Sequence, residues 1–97
     1  MRILESSIEY AVCRWADQRG LEYVKLNLQG RRGYPDRLFF IPGGRPFLLE
    51  LKRPGAKPDK LQQYQIDRLR KKGYDVEWTD SKDQAVAWLK ERIARAA

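Results

Sequence analysis

The chain has 97 residues, with 20 Lys or Arg, 13 Asp or Glu and a formal net charge of +7. This length predicts a single domain, residues 1–97, with a modest core. The basic surplus suits a phosphate-rich partner, although it is also compatible with a merely soluble surface. Histidine is absent and Cys13 is the single cysteine, which excludes histidine-based catalysis, internal disulfides and multi-thiolate zinc sites.

Any metal site in this chain would use oxygen ligands, which indicates Mg²⁺, Mn²⁺ or Ca²⁺. No apolar run approaches the ~18 residues of a membrane span. The opening segment MRILESSIEY also lacks the long apolar core of a signal peptide. We therefore expect a cytoplasmic protein, of a bacterium or a phage-infected host cell, with no membrane partner and no organic cofactor.

Apolar periodicity and turn residues predict elements in the order α-β-β-β-α-β-α. Gly20 and Gly73 are the expected ends of the first two helices, and Asp80 or Ser81 is the expected cap of the last. The predicted elements are a helix over 4–19, strands over 21–28, 36–41 and 46–52, a helix over 60–72, a strand over 74–79 and a helix over 82–95.

The third strand, the second helix and the fourth strand form a βαβ unit, so that strand pair is expected to be parallel with a right-handed crossover. The first three strands form a predicted meander. The expected fold class is therefore α/β, with one mixed sheet flanked by helices. In the second helix, Leu61, Tyr64 and Leu69 are expected to face inward.

Charged residues interrupt the two apolar strands of the segment GYPDRLFFIPGGRPFLLELK, residues 33–52. Glu50 and Lys52 share one face of the third strand, because alternate residues point to the same side. Asp36 joins them only in one register. A two-residue turn at 43–44 would pair Asp36 with Leu51 and turn it away from Glu50, whereas a three-residue loop or a bulge would bring the charged groups together.

Two converged carboxylates repel each other, and a divalent cation that binds both removes the conflict. The backbone carbonyl of Leu51 would then supply a third oxygen, and a metal-bound water would be the nucleophile. Lys52 would orient that water or offset charge on a phosphate. The plainer alternative is a surface hairpin with a Lys52–Glu50 ion pair of little energetic value.

The segments GYPDR (33–37), ELK (50–52), Gln62 and LRKKGYDVE (69–77), preceded by ESSIEYAV (5–12), carry a family resemblance. Together they resemble the VRR-NUC family, the virus-type replication-repair nucleases, within the PD-(D/E)xK superfamily. The resemblance spans roughly residues 5–81 and is to the short, stand-alone phage members. It implies a restriction-endonuclease-like core and Mg²⁺- or Mn²⁺-dependent cleavage of DNA.

The resemblance also implies roles for individual residues. Asp36 and Glu50 would bind the metal, and Glu9 on the first helix would complete the metal shell directly or through water, with Glu5 as its rival. Lys52 would activate water or stabilise the pentavalent phosphate. Gln62 would brace Lys52 or the metal-bound waters.

Several cations close to this segment in sequence are expected to contact DNA phosphates, which gives affinity that falls with salt. They are Lys25, Arg31, Arg32, Arg37, Arg53 and Lys57. By analogy with phage members of the family, we expect a homodimer, whose paired sites would suit four-way junctions or paired nicks. The expected substrate is branched DNA, such as a four-way junction or a flap. The alternatives are a sequence-specific restriction-type nuclease and a non-catalytic nucleic-acid-binding module.

Overall fold

The computed structural model describes residues 4–97, so residues 1–3 of the predicted domain lie outside the described part. The elements are α1 (Glu5–Gln18), β1 (Tyr23–Lys25), β2 (Arg37–Phe40), β3 (Pro46–Leu51), α2 (Lys60–Lys71), β4 (Asp75–Thr79) and α3 (Lys82–Ala96). Their order confirms the predicted α-β-β-β-α-β-α arrangement. None of the helices in residues 4–97 has the length and apolar character needed to cross a bilayer.

The strands form one sheet in the order β1-β2-β3-β4. The first three strands pair antiparallel, and β3 pairs with β4 in parallel. The predicted meander and the parallel pair of the βαβ unit are both confirmed. Between β2 and β3 the chain reverses through a tight turn, in which the Gly44 N–H donates to the Ile41 carbonyl at 2.9 Å and Gly43 has a φ of +72°. That positive φ favours glycine, because other residues meet steric conflict there.

Helices cover the sheet on both faces, and alternation along β3 explains why. Phe47, Leu49 and Leu51 are fully buried in the main core cluster, where they join residues of α1 and α3 such as Val12 and Leu89. On the opposite face of β3, Leu48 packs with a smaller cluster from α2 and β4. A strand covered on both sides explains why β3 is apolar at nearly every position before its charged end.

The inward face of α2 differs from the prediction. Ile66 and Leu69 are buried, whereas Leu61 is 42% exposed and Tyr64 is 59% exposed. The inward assignment of Leu61 and Tyr64 was therefore wrong. Residues 64 and 66 lie about 200° apart around a helix, so the face that buries Ile66 turns Tyr64 toward solvent.

Strand β1 is shorter than the predicted strand over 21–28, with three residues in the ladder. Hydrogen bonds continue beyond both of its ends, however. The Leu26 N–H donates to the Asp36 carbonyl at 2.7 Å, and the Phe40 N–H donates to the Glu22 carbonyl at 2.9 Å. The first of these bonds ties the segment after β1 to Asp36, just before β2 begins.

Candidate active site

The register of β2 against β3 places Asp36 beside Glu50. Arg37 pairs with Leu49, so continuing the register by one residue sets Asp36 opposite Glu50. Directly opposed residues of an antiparallel pair point to the same face of the sheet. In addition, the backbone of Asp36 favours the charged form of the Glu50 carboxyl and so lowers its pKa, against the larger effects that raise it. The register required for convergence of the two acids is therefore the one observed.

The loop before β2 delivers Asp36 by packing against α2. The Arg68 Nη2 donates to the Tyr34 hydroxyl at 2.8 Å, and the Gln65 Nε2 donates to the Arg32 carbonyl at 3.5 Å. Gly33 approaches the helix so closely that an added Cβ would lie 2.9 Å from the Leu61 carbonyl oxygen. Helix α2 therefore fixes the loop that ends at Asp36.

Glu50 and Asp36 form an electrostatically costly pair. Glu50 is 5% exposed, and burial, followed by the negative charge of Asp36, raises the pKa of its carboxyl to about 7. The Oδ1 atom of Asp36 is buried and has no hydrogen-bond partner within residues 4–97. A buried acceptor without a donor carries a desolvation penalty. A cation bound between the two carboxylates would relieve both features.

Lys52 extends the charged group at the end of β3. Its Nζ lies 3.6 Å from the Glu50 Oε2 and 3.9 Å from the Glu5 Oε1. The Lys52 N–H donates to the Thr79 carbonyl in β4. The C=O of Leu51 and the N–H of Lys52 belong to one trans peptide group and therefore point to opposite edges of the strand. Because the Lys52 N–H points toward β4, the Leu51 carbonyl points toward the β2 side, where Asp36 lies. An oxygen donor set of two carboxylates and one carbonyl suits Mg²⁺ or Mn²⁺.

Arg37 lies inside the molecule and not on its surface. It is 8% exposed, with Nη2 3.5 Å from the Glu9 Oε2 and Nη1 3.5 Å from the Asp36 Oδ2. Contact of Arg37 with DNA stays a prediction, which this burial disfavours. The sequence pattern indicates this burial, because Arg37 and the buried Phe39 are two residues apart in a strand and so lie on the same, core-facing side.

Glu9 belongs to the same electrostatic environment. Burial, and then the charge of Asp36, raise the pKa of its carboxyl, while Arg37 lowers it. Glu9 faces Arg37, and Glu5 is the helical acid nearer to Lys52. Within residues 4–97, no three acidic or cysteine side chains are gathered as a ready metal shell. Asp36 and Glu50 stay the predicted metal ligands, and the helical acid also stays a prediction.

Gln62 lies in the first turn of α2, as predicted, but its side-chain oxygen has a structural partner. The Asp59 N–H donates to the Gln62 Oε1 at 2.9 Å, and the Gln62 N–H donates to the Asp59 Oδ1 at 2.8 Å. This reciprocal pair is a capping box, which satisfies two free donors at a helix start. This capping box was not predicted, although Asp followed three residues later by Gln is its known signature.

The other predicted DNA-contacting cations lie on the surface. Lys25, Arg31, Arg32, Arg53 and Lys57 are all exposed. Arg31 and Arg32 belong to the loop that delivers Asp36, and Arg53 follows Lys52 directly. Their contact with DNA stays a prediction.

Comparison with known proteins identifies the family. A phage protein named "Putative nuclease p44", of Acyrthosiphon pisum secondary endosymbiont phage 1, is 40% identical over 84 residues, which cover 86% of this chain and 90% of the relative. A solved structure described as a VRR_NUC domain is 29% identical, has a TM-score of 0.78 and matches 89% of this chain and 94% of its own. The chain belongs to the VRR-NUC family.

A second solved VRR_NUC domain protein shares the fold, with a TM-score of 0.83 over 100% of this chain and 93% of its own, at 18% identity. No protein-family model matches the chain. VRR-NUC domains have a PD-(D/E)xK-type fold, and nucleases with that fold generally use divalent metal ions. The family resemblance predicted from residues 33–37, 50–52 and 62 is confirmed.

Proposed function

We propose that this VRR-NUC chain is an endonuclease that hydrolyses phosphodiester bonds in DNA with the help of Mg²⁺ or Mn²⁺. The observation that carries this proposal is the buried Oδ1 of Asp36, which has no hydrogen-bond partner among the described residues and lies beside a second buried carboxylate, Glu50. A folded protein rarely retains such a pair without a cation to bind.

Asp36, Glu50 and the carbonyl of Leu51 would hold the metal, with Glu9 or Glu5 completing the shell. When bound, a divalent ion lowers the pKa of a coordinated water and offsets charge on the phosphate. Lys52 lies 3.6 Å from Glu50, so its ammonium would lie at the edge of the same site. There it would orient the attacking water or stabilise negative charge that develops on the phosphate.

Gln62 would act on water in this site. Its Oε1 accepts a hydrogen bond from Asp59, which leaves its amide nitrogen as the free group. That nitrogen is a donor and cannot bond the ammonium of Lys52, which also only donates. Of the two roles that the resemblance implies, bracing of waters therefore suits the capped conformation better than bracing of Lys52.

The substrate would be duplex or branched DNA, such as a four-way junction or a flap, bound through exposed cations of the loops around the site. A single nuclease domain carries one such site, so cutting two strands together would require a homodimer. Sedimentation equilibrium should then give about twice the 11.5 kDa of the monomer. A monomer at all concentrations would remove the paired-site part of the proposal.

Cleavage assays test the proposal directly. Purified protein would be incubated with a four-way junction, a flap and a linear duplex, each in Mg²⁺, Mn²⁺ or EDTA. We expect cleavage with metal alone, preference for the branched substrates, and loss of at least about 100-fold in Asp36→Asn and Lys52→Met. Asp83→Asn, at an exposed acid in the first turn of α3, is the matched control and should cleave normally.

Cleavage that persists in EDTA, or that is equal in Asp36→Asn and the wild type, would overturn the assignment. Tight DNA binding by the wild type without cleavage in any metal would instead favour the non-catalytic binding module.

A further inference from the structure

A groove of about 380 Å³ lies on the α2 side of the sheet. Leu26, Leu28 and Leu48 line it, and Leu28 is 41% exposed. Tyr34 and Tyr74 add aromatic rings to its wall. The volume falls within the roughly 300–1,000 Å³ of small-ligand pockets. An apolar groove of this size, on a protein with a net charge of +7, suits a ligand that has a flat apolar part and a negatively charged group next to it.

The groove adjoins the proposed catalytic acids. Pro35 lines it and directly precedes Asp36. Leu48 shares its strand face with Glu50, two residues along β3, which corresponds to about 7 Å. A group seated in the groove would therefore lie within one or two nucleotides of a phosphate bound at Asp36 and Glu50.

Among residues 4–97, the lining of the groove includes cations and no acidic side chains. Arg68 and Lys72 lie at the groove, and Lys72 is exposed. Arg68 is held by its hydrogen bond to the Tyr34 hydroxyl, with its guanidinium 5.7 Å from the centre of the Tyr34 ring. An apolar floor, aromatic rings and a cationic rim are the combination that binds a nucleotide by its base and its phosphate together.

We propose that this groove receives an unpaired nucleobase of the DNA substrate, while Lys72 contacts the adjoining phosphate. The inference rests on the proposed function, because it takes DNA as the ligand of the neighbouring site. A base inside an intact duplex is paired and stacked, and extruding it costs energy that an already unpaired base does not require. The groove would therefore select flaps, bulges and junctions over continuous duplex.

Equilibrium binding in EDTA tests the groove separately from catalysis. The probes are a duplex with 2-aminopurine in a single-base bulge and a fully paired duplex of the same length. We expect the wild type to change the 2-aminopurine fluorescence and to bind the bulged DNA more tightly than the paired one. Tyr74→Ala and Leu28→Ser should each weaken binding of the bulged DNA roughly tenfold, and leave binding of the paired duplex unchanged.

Tyr74 is 56% exposed and Tyr64 is 59% exposed, so Tyr64→Ala is a matched control outside the groove and should bind both probes like the wild type. Equal affinity of the wild type for the two probes, or equal loss on both probes in Tyr74→Ala, would overturn the proposal. A second copy of the chain could instead cover the groove. In that case Tyr74→Ala would convert a dimer to a monomer and weaken binding of both probes equally, which would also overturn the proposal.

The two proposals fail in different ways. Selective binding of the bulged probe without cleavage in Mg²⁺ or Mn²⁺ would support the base site and refute the nuclease assignment. Metal-dependent cleavage that is unchanged in Tyr74→Ala on bulged and paired DNA would refute the base site and leave the nuclease assignment intact.

Discussion

Asp36 lies in a cluster of charged residues, close to the carboxylates of Glu9 and Glu50 and to the guanidinium of Arg37. Its charge raises the pKa of both Glu9 and Glu50, while Arg37 contacts one of its oxygens and the other has no partner among the described residues. Such an imbalance favours a functional role for this cluster, because perturbed pKa values gather at functional sites. In the proposed metal site, the cost to folding and the capacity to bind a cation would come from the same atoms.

Asp36→Asn should separate stability from activity. The amide removes one negative charge from the cluster, so repulsion of Glu50 falls and the metal-free protein should unfold at the same temperature as the wild type or higher. DNA cleavage should nevertheless be lost. Thermal unfolding in EDTA, measured beside the cleavage assay, checks both. A marked fall in the unfolding temperature would mean that Asp36 is mainly structural.

Glu50 should make the stability of the metal-free protein depend on pH. Its carboxyl has a folded-state pKa of about 7 against an ordinary 4.5, so the folded state holds a proton that the unfolded chain releases in that range. The resulting stabilisation is complete below about pH 4.5 and is lost as the pH rises through about 7.

Denaturant unfolding in EDTA at pH 5.5 and pH 8 measures this effect. Between these values the Glu50 contribution to the free energy of unfolding should fall by about 2 kcal/mol. Glu50→Gln does not titrate, so its pH dependence should be flatter by that amount. Identical pH profiles for the two proteins would contradict the assigned shift.

The candidate site residues could be named from the sequence, but not all of their contacts could be predicted. Asp36, Glu50 and Lys52 could be predicted because charges interrupt apolar strands. To predict the burial of Arg37, its position on the core-facing side of β2 has to be given more weight than its charge. The capping role of Gln62 depends on where α2 begins, and helix boundaries are less certain than helix existence.

At the scale of elements, the contact between α2 and the loop before β2 positions the acid. The chain could be predicted to form a βαβ unit and a hairpin, because these follow from local periodicity and short connections. The register of β2 against β3 could not be fixed, because a change of one residue in loop length reverses the face on which Asp36 lies. The turn between Ile41 and Gly44 decides it.

Gly33→Ala should test the loop contact against a control that shares its backbone strain. Gly33 has a φ of +78° and an added Cβ would lie 2.8 Å from the Leu61 Cγ, whereas Gly30 has a φ of +73° with nothing within 4 Å. Both alanines are strained by a similar backbone conformation, so their difference reports the contact with α2.

We expect Gly33→Ala to reduce cleavage and to destabilise the protein by about 1–3 kcal/mol more than Gly30→Ala does. Denaturant unfolding and the cleavage assay on both variants check this. Equal effects of the two substitutions would show that the loop does not depend on its close approach to Leu61.

At the scale of the whole molecule, the surplus of positive charge suits the DNA partner that the proposed function requires. Exposed cations flank the charged end of β3, so binding should be sequence-independent and should weaken steeply with salt. Composition predicted this general property. It could not specify which cations face the partner, because that depends on how the loops fold over the sheet.

Arg32→Gln should lower the slope of log affinity for duplex DNA against log salt concentration by about 1, because one phosphate contact is lost. Lys90→Gln, at an exposed position of α3, should leave the slope unchanged. Fluorescence anisotropy over a salt series gives both slopes. Equal slopes for the two variants would place the DNA elsewhere on the surface.

Binding of Mn²⁺ to the protein without DNA tests the central claim most directly. Titration followed by electron paramagnetic resonance counts bound ions without relying on any activity. The wild type should bind Mn²⁺ at pH 8, and Asp36→Asn should lose that binding while Asp83→Asn retains it. Equal Mn²⁺ binding by the wild type and Asp36→Asn would show that the two carboxylates of this sheet do not form the metal site.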